Sequence, residues 1–260
     1  MKSRRRNISQ CPFPAVCRVI PDLVPVFTGT DPDWIPAFAG MTDTTQSAIR
    51  RLTREFFNRP TLVVACELLG KYLIHQLKNV RLAGKIVETE AYIGVTDKAS
   101  HASWRRRETC APMWGRPGFA YVYLTYGLHH LLNIVTEEDG VPAAVLIRAV
   151  EPVEGVEEMI KKRFPRGSNP LRGLDPIASR RKYLISLTSG PAKMTQALNI
   201  DKKHNGIDLC REGGLWLEDR GVVVKRSEIG ISPRIGVAYA GEDAKKPWRF
   251  FLKNNPFVSR

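Results

Sequence analysis

Cysteine is scarce in this chain: Cys11, Cys17, Cys66, Cys110 and Cys210 are the only five. An odd number, widely spaced and without a Cys-x-x-Cys pair, argues against a disulfide framework and against a zinc site, so a reducing compartment is expected. Long apolar runs are also missing. Nowhere do about 18 apolar residues follow one another, as a membrane-spanning helix would need. Lys2 and Arg4-Arg5-Arg6 resemble the start of a signal peptide, but Pro12, Pro14 and Pro21 break the apolar core that should follow, so export is not expected and a cytoplasmic location is. Acidic residues are the last shortage: 26 Asp and Glu face 40 Lys and Arg, leaving a formal charge of +14. Such an excess favours a polyanionic partner, nucleic acid before an anionic membrane, and says nothing about fold. The chain also lacks a strongly amphipathic basic helix, which argues against a peripheral membrane protein.

The remaining composition, 43% hydrophobic and 25% charged, is that of a globular protein with length enough for one large domain or two small ones. Residues 1–46 stand apart. Pro21-Asp22-Leu23-Val24-Pro25-Val26-Phe27-Thr28-Gly29 returns as Pro32-Asp33-Trp34-Ile35-Pro36-Ala37-Phe38-Ala39-Gly40. Two copies are too few for a solenoid, and the prolines forbid a helix or central strand. The segment reads as a poorly ordered extension, with a partner-binding tail as the alternative. The folded part is expected over 47–260.

Within it, Ile49, Leu52, Phe56 and Phe57 fall near helical spacing, and a second helix opens at Pro60 and stops at Gly70. A strand over 72–77 turns at Lys78-Asn79 into a longer one over 84–93. Alternation in Ile86-Val87-Glu88-Thr89-Glu90-Ala91-Tyr92-Ile93-Gly94 places Glu88, Glu90 and Tyr92 on one face, seven residues before His101. This stretch alone fits an exposed edge strand as well as a functional wall. Trp104-Arg105-Arg106-Arg107-Glu108 follows as a basic loop. Tyr121 and Tyr123 share one face of the next strand, and Tyr126 precedes Gly127 where a hairpin tip belongs. A tyrosine there is either a chance surface aromatic or a platform for a base. Asn133 lies in the apolar run 131–135 and needs polar partners. Arg148, at the end of the apolar run 143–150, needs an anion: a carboxylate such as Glu90, or a substrate phosphate. A helix is expected over 152–163, a basic loop-like surface over 161–182, a short helix near 194–198, and strands near 215–217, 222–224 and 234–237. His75 reads as a strand residue without a role. Strands and helices intersperse without a βαβ rhythm, which favours an α+β fold.

Taken together, Glu88-Thr89-Glu90-Ala91-Tyr92 with His101, Tyr121-Val122-Tyr123, Tyr126-Gly127, Asn133, Val145-Leu146-Ile147-Arg148-Ala149-Val150-Glu151-Pro152, Ser189-Gly190-Pro191-Ala192-Lys193 and Gly241-Glu242 resemble the alkyladenine (3-methyladenine, or methylpurine) DNA glycosylases. The resemblance runs from about Phe56 to about Ser259. It implies a single mixed α+β domain with a curved, mainly antiparallel sheet and a protruding hairpin. It also implies a monomer that removes alkylated or deaminated purines from double-stranded DNA without metal or cofactor. By the same resemblance Glu90 activates the attacking water, and Arg148 helps hold that water and a nearby phosphate. Tyr92, His101 and Tyr123 sandwich the extruded base, Asn133 bars guanine, and Tyr126 wedges into the gap. Strand geometry alone does not separate Glu88 from Glu90; the family register favours Glu90. One stretch departs: Thr109-Cys110-Ala111-Pro112-Met113 stands where the family carries Thr-x-Arg-Asn before a methionine, so phosphate contacts there are not carried over. The competing class is a non-catalytic DNA- or RNA-binding module, which would have no need of Glu90, Tyr92, His101 and Arg148 together.

Overall fold

The computed structural model describes residues 49–105, 107–164 and 178–259, with 178–180 by backbone only. The repeat-bearing extension and much of the basic stretch 161–182 lie outside these residues. Among those described, nine strands form one sheet: β1 (Arg50–Arg51), β2 (Tyr72–Gln76), β3 (Arg81–Ile93), β4 (Ala120–Thr125), β5 (His129–Val135), β6 (Ala143–Glu154), β7 (Leu215–Asp219), β8 (Ile229–Ser232) and β9 (Arg249–Leu252). Six short α-helices accompany them: α1 (Arg54–Phe57), α2 (Thr61–Glu67), α3 (His101–Trp104), α4 (Val156–Arg163), α5 (Ala178–Thr188) and α6 (Pro191–Ala197). The main path of the sheet is β1-β7-β2-β3-β6-β5-β4, with β9 on β3 and β8 on β9, and the pairings are antiparallel. The fold is therefore α+β. Among the described residues no helix is long and apolar enough to cross a membrane.

The centre of the sheet is the pair β3–β6, and its sequence explains why. Residues 143–150 of β6 are all buried. Each Val, Leu or Ile removed from water there contributes roughly 1.5–3 kcal/mol, so the strand belongs in the interior. One edge of β3 pairs with β6 along its length. The other pairs with β2 over Arg81–Lys85 and with β9 over Glu88–Glu90. Thr89 points to the opposite face from the two glutamates and donates its hydroxyl to the Ala65 carbonyl of α2, 2.8 Å away. The helix α2 thus closes one face of β3 and leaves the carboxylate face for the site.

The β3–β6 ladder is not regular. It skips Val87 on β3 and, one step further on, Arg148 on β6, so the two slips cancel. Bulges of this kind re-aim a side chain without losing the register beyond them. Here the re-aimed residue is Arg148.

Several expected elements are corrected. The helix expected from Pro152 begins only at Val156, because Pro152, Val153 and Glu154 remain in β6. Gly155 makes the break: its φ is +70°, and a Cβ there would lie 2.6 Å from the Arg81 carbonyl oxygen. Residues 178–182, expected as the end of a loop-like stretch, belong to helix α5, which runs on to Thr188. The helical spacing near 49–57 resolves into the two-residue β1 and the single turn of α1. Val222–Val224 and residues 234–237 pair with no strand; the strand in that region is β8.

Candidate active site

Glu88 and Glu90 project from the same face of β3 into a fully buried charge cluster. Arg148 lies between them, with its Nε donating to Glu88 Oε1 at 2.9 Å and its terminal nitrogen 3.3 Å from Glu90 Oε2. Burial works against the Arg148 charge, but the carboxylates of Glu90 and Glu88 outweigh it and hold its pKa above the usual value. The anion that Arg148 requires is thus both glutamates.

The two carboxylates differ in their surroundings. Glu88 accepts from Arg148, from Arg249 Nε at 2.7 Å, and from the backbone and hydroxyl of Ser259 at 2.6 and 2.8 Å. Both of its oxygens are taken by groups of the fold. Glu90 accepts the Ile235 backbone N–H at 2.7 Å and the Tyr92 hydroxyl at 2.9 Å. Tyr92, Arg148 and Ile235 line a cavity of about 430 Å³, so Glu90 lies immediately beneath its floor.

The walls of this cavity include Tyr92, His101, Trp104, Arg105, Tyr121, Tyr123, Tyr126, Asn133 and Tyr239. His101 begins α3, whose N-terminus is capped by the Ser100 side chain. Its ring meets that of Tyr123 edge-on with centroids 4.3 Å apart. Its Nδ1 shares a hydrogen bond with the Tyr121 hydroxyl at 2.8 Å. Burial, helped by the nearby Arg105 charge, lowers the His101 pKa to about 4, so the ring is neutral at neutral pH. Burial raises the phenol pKa of Tyr92, Tyr121 and Tyr123, and in Tyr92 the Glu90 carboxylate adds to the effect. All three rings therefore stay uncharged. Asn133 finds its partner in the strand it faces, donating Nδ2–H to the Tyr121 carbonyl at 3.2 Å.

Tyr126 stands at the tip of the β4–β5 hairpin and is 90% exposed. Its φ is +50° and that of Gly127 is +67°, with Leu128 N–H donating back to the Thr125 carbonyl at 3.1 Å. Two successive positive φ values suit a tight hairpin turn, which asks for Asn or Gly at the first of them. A tyrosine in left-handed backbone costs on the order of 1–3 kcal/mol. An aromatic side chain in that conformation, with so little of it buried, gains little for the fold.

The site residues expected from the sequence, Glu90, Tyr92, His101, Tyr123, Tyr126, Asn133 and Arg148, with Glu88 beside them, therefore border the same cavity or the cluster beneath it. Sequence reasoning missed several others. Tyr121 reads as the mere neighbour of Tyr123, yet it anchors both His101 and Asn133. Residues 234–237, expected as strand, form the loop that delivers the Ile235 N–H to Glu90. That loop is held by Arg234, whose guanidinium makes two bonds to Asp97 at 2.6 and 2.8 Å and donates to the Ala91 and Asp243 carbonyls. The Arg234 guanidinium also packs over the rings of Tyr92 and Trp248, at 4.8 and 4.9 Å. No local signal links Asp97 to Arg234, 137 residues later. Of the basic stretches, Arg105 lies over Trp104 and Tyr123, while Lys161 and Lys162 are paired with Glu158. Among the described residues no three His, Cys, Asp or Glu side chains cluster as a metal site requires.

A neutral aromatic slot over a buried acid–arginine pair, beside a hairpin that lifts a tyrosine into solvent, suits an enzyme acting on a planar ring carried by a larger molecule. The comparisons with known proteins make this specific. The family model described as Methylpurine-DNA glycosylase matches residues 55–256. A protein from Alkaliphilus oremlandii named "Putative 3-methyladenine DNA glycosylase" is 49% identical over 211 residues, covering 81% of this chain and 99% of the relative. Its counterpart from Methanocella arvoryzae is 51% identical over 80% of this chain and 96% of the relative. That from Clostridium tetani is 43% identical over 81% and 99%. The chain belongs to the methylpurine-DNA glycosylase family; it is a hydrolase of N-glycosyl bonds in DNA.

Proposed function

We propose that the protein is a monofunctional glycosylase that extrudes alkylated or deaminated purines of the 3-methyladenine type from duplex DNA. It then hydrolyses the N-glycosidic bond with a water activated by Glu90. The observation that carries the assignment is the inequality of the two glutamates. Glu88 is saturated by donors of the fold, whereas the partners of Glu90 are themselves the floor of the cavity.

A base within the duplex is out of reach, and extruding it costs a few kcal/mol, less for a damaged pair. Stacking on an aromatic face returns roughly 1–3 kcal/mol. Tyr92, His101 and Tyr123 supply such faces, and Tyr126 fills the gap left in the stack. The amide of Asn133, anchored on Tyr121, meets the exocyclic amine of guanine and disfavours it. As the glycosidic bond lengthens its electron pair goes to the purine, and positive charge develops on the sugar. The water oxygen bonds to the anomeric carbon and its proton passes to Glu90. For this the Tyr92 hydroxyl yields Glu90 Oε2, while Arg148, 3.3 Å away, orients the carboxylate. An alkylated purine is cationic and leaves without strong acid assistance, in keeping with a neutral His101. No lysine lines the cavity among the described residues, which supports base release without a Schiff base and strand cleavage. The working unit in this reading is a monomer acting on DNA in the cytoplasm, with residues 47–260 as its glycosylase domain.

The test is base release from oligonucleotides carrying 3-methyladenine-type lesions, hypoxanthine or ethenoadenine. Wild type is expected to release at least one of them, and Glu90→Gln to bind damaged DNA without releasing the base. Near-normal single-turnover release by Glu90→Gln would refute the assignment of Glu90. Trapping of an enzyme–DNA adduct by borohydride would refute the monofunctional reading.

A further inference from the structure

We infer that Glu88, together with Ser259 and Arg249, is a positioning residue that sets Arg148 against the reacting carboxylate. The inference rests on the proposed reading of Glu90. The side chain of Arg148 comes from the point where the β3–β6 ladder skips a residue, so regular strand pairing does not aim it. Three contacts do. Its Nε bonds Glu88 Oε1 at 2.9 Å, one terminal nitrogen bonds Ser259 Oγ at 3.2 Å, and the other faces Glu90 Oε2 at 3.3 Å. A planar guanidinium held at two of its nitrogens has no freedom left for the third.

Glu88 is held in its turn. Ser259 donates to it from both backbone and hydroxyl, and Arg249 donates from β9. Arg249 also bonds the Ser259 carbonyl at 2.9 Å and the Ser232 hydroxyl of β8 at 3.0 Å. The segment at Ser259 and the β8–β9 pair are thus tied to the back of the cluster, and Glu88 transmits their position to Arg148. The charges also balance: the two buried carboxylates face two guanidiniums, those of Arg148 and Arg249, so the cluster calls for no further counter-charge. Glu88 itself has both oxygens occupied on the side away from the cavity, as expected for a residue that acts through another.

The experiment compares Glu88→Gln, Ser259→Ala and Ser259→Thr with wild type. It measures single-turnover release of a lesion that wild type excises, affinity for DNA bearing a non-hydrolysable analogue, and thermal midpoint. Misplacing a reacting group by about 1 Å can cost about 100-fold in rate. Glu88→Gln is therefore expected to slow release roughly 10- to 100-fold with DNA affinity within about twofold of wild type, since ground-state binding of the base does not use this face. Ser259→Ala, which keeps the Glu88 charge, is expected to slow release several-fold, and Ser259→Thr, which keeps the hydroxyl, to restore it. If Glu88→Gln does not fold, the serine pair decides alone. Rates equal to wild type in both Glu88→Gln and Ser259→Ala would overturn the inference while leaving Glu90 intact. So would rates that fall only in proportion to lost affinity or lost folded protein. If wild type releases no base, or Glu90→Gln releases it normally, the reading of Glu90 fails and this inference falls with it.

Discussion

The sharpest test of how the site is held together is Arg234→Met. The side chains of Arg234 and Asp97 are both wholly buried and joined by two short bonds, and Arg234 also satisfies the carbonyls of Ala91 and Asp243. Methionine preserves much of the packing between Tyr92 and Trp248 but leaves the Asp97 carboxylate buried beside no cation. Breaking a buried pair in this way costs roughly 3–5 kcal/mol, most of it the stranded charge rather than the lost attraction. In a domain of this size each kcal/mol moves the midpoint by roughly 2–4 °C, so thermal unfolding should shift down by about 6–20 °C. Asp97→Asn/Arg234→Met removes both charges and should recover a large part of the loss, giving a clear coupling term in a double-mutant cycle. Release should fall as well, because Arg234 holds the loop whose Ile235 N–H fixes Glu90. Calorimetry of the three variants, with single-turnover release at a temperature where all are folded, gives both readouts. A midpoint shift under about 2 °C for Arg234→Met would refute the argument. A double variant as unstable as the sum of the two single ones would refute it equally.

How much of this was legible beforehand depends on the range of each interaction. The face shared by Glu88, Glu90 and Tyr92 follows from the period of a strand, and β3 obeys it despite the bulge. Arg148 is legible because a guanidinium in an apolar run must have an anion, although the sequence does not show that two carboxylates share it. Tyr126 is legible from the Tyr-Gly pair at a turn. The failures have physical causes. Val222–Val224 has the composition of a strand but no pairing neighbour; it lies against Gly70, where a Cβ would meet Val224 Cγ2 at 2.7 Å. Composition reports a liking for extended backbone, not the presence of a partner. Pro152-Val153-Glu154 reads as the start of a helix because Glu154 suits a first turn, whereas the left-handed Gly155 settles the boundary. Asp97, Arg234, Arg249 and Ser259 carry no local signature at all. Their function is to join segments more than a hundred residues apart, and a single sequence holds no record of such contacts.

Two further perturbations separate function from stability. Tyr126→Gly relieves the left-handed strain at the hairpin tip, about 1–3 kcal/mol, against an entropy cost of roughly 0.5–1 kcal/mol. The thermal midpoint should hold or rise slightly while excision from duplex DNA falls roughly 10- to 100-fold, as expected for a lost stacking contact; a variant both less stable and fully active would contradict this. The second is acidification. His101 is neutral in the fold, its pKa lowered to about 4 from the ordinary 6.5 by burial and the Arg105 charge. The unfolded chain therefore takes up this proton first. The stability tied to the neutral ring is complete above about 6.5 and is lost as pH falls through about 4. Excision should fail only near pH 4, where the folded ring itself takes up the proton, because protonation puts a charge into a slot built from uncharged rings and leaves Nδ1 able only to donate to the Tyr121 hydroxyl. An NMR titration of the His101 ring, read beside the pH dependence of the thermal midpoint, checks both. A ring that titrates near 6.5 in the folded protein would show that the slot is open to water, and the neutral-pocket account of base binding would then be wrong.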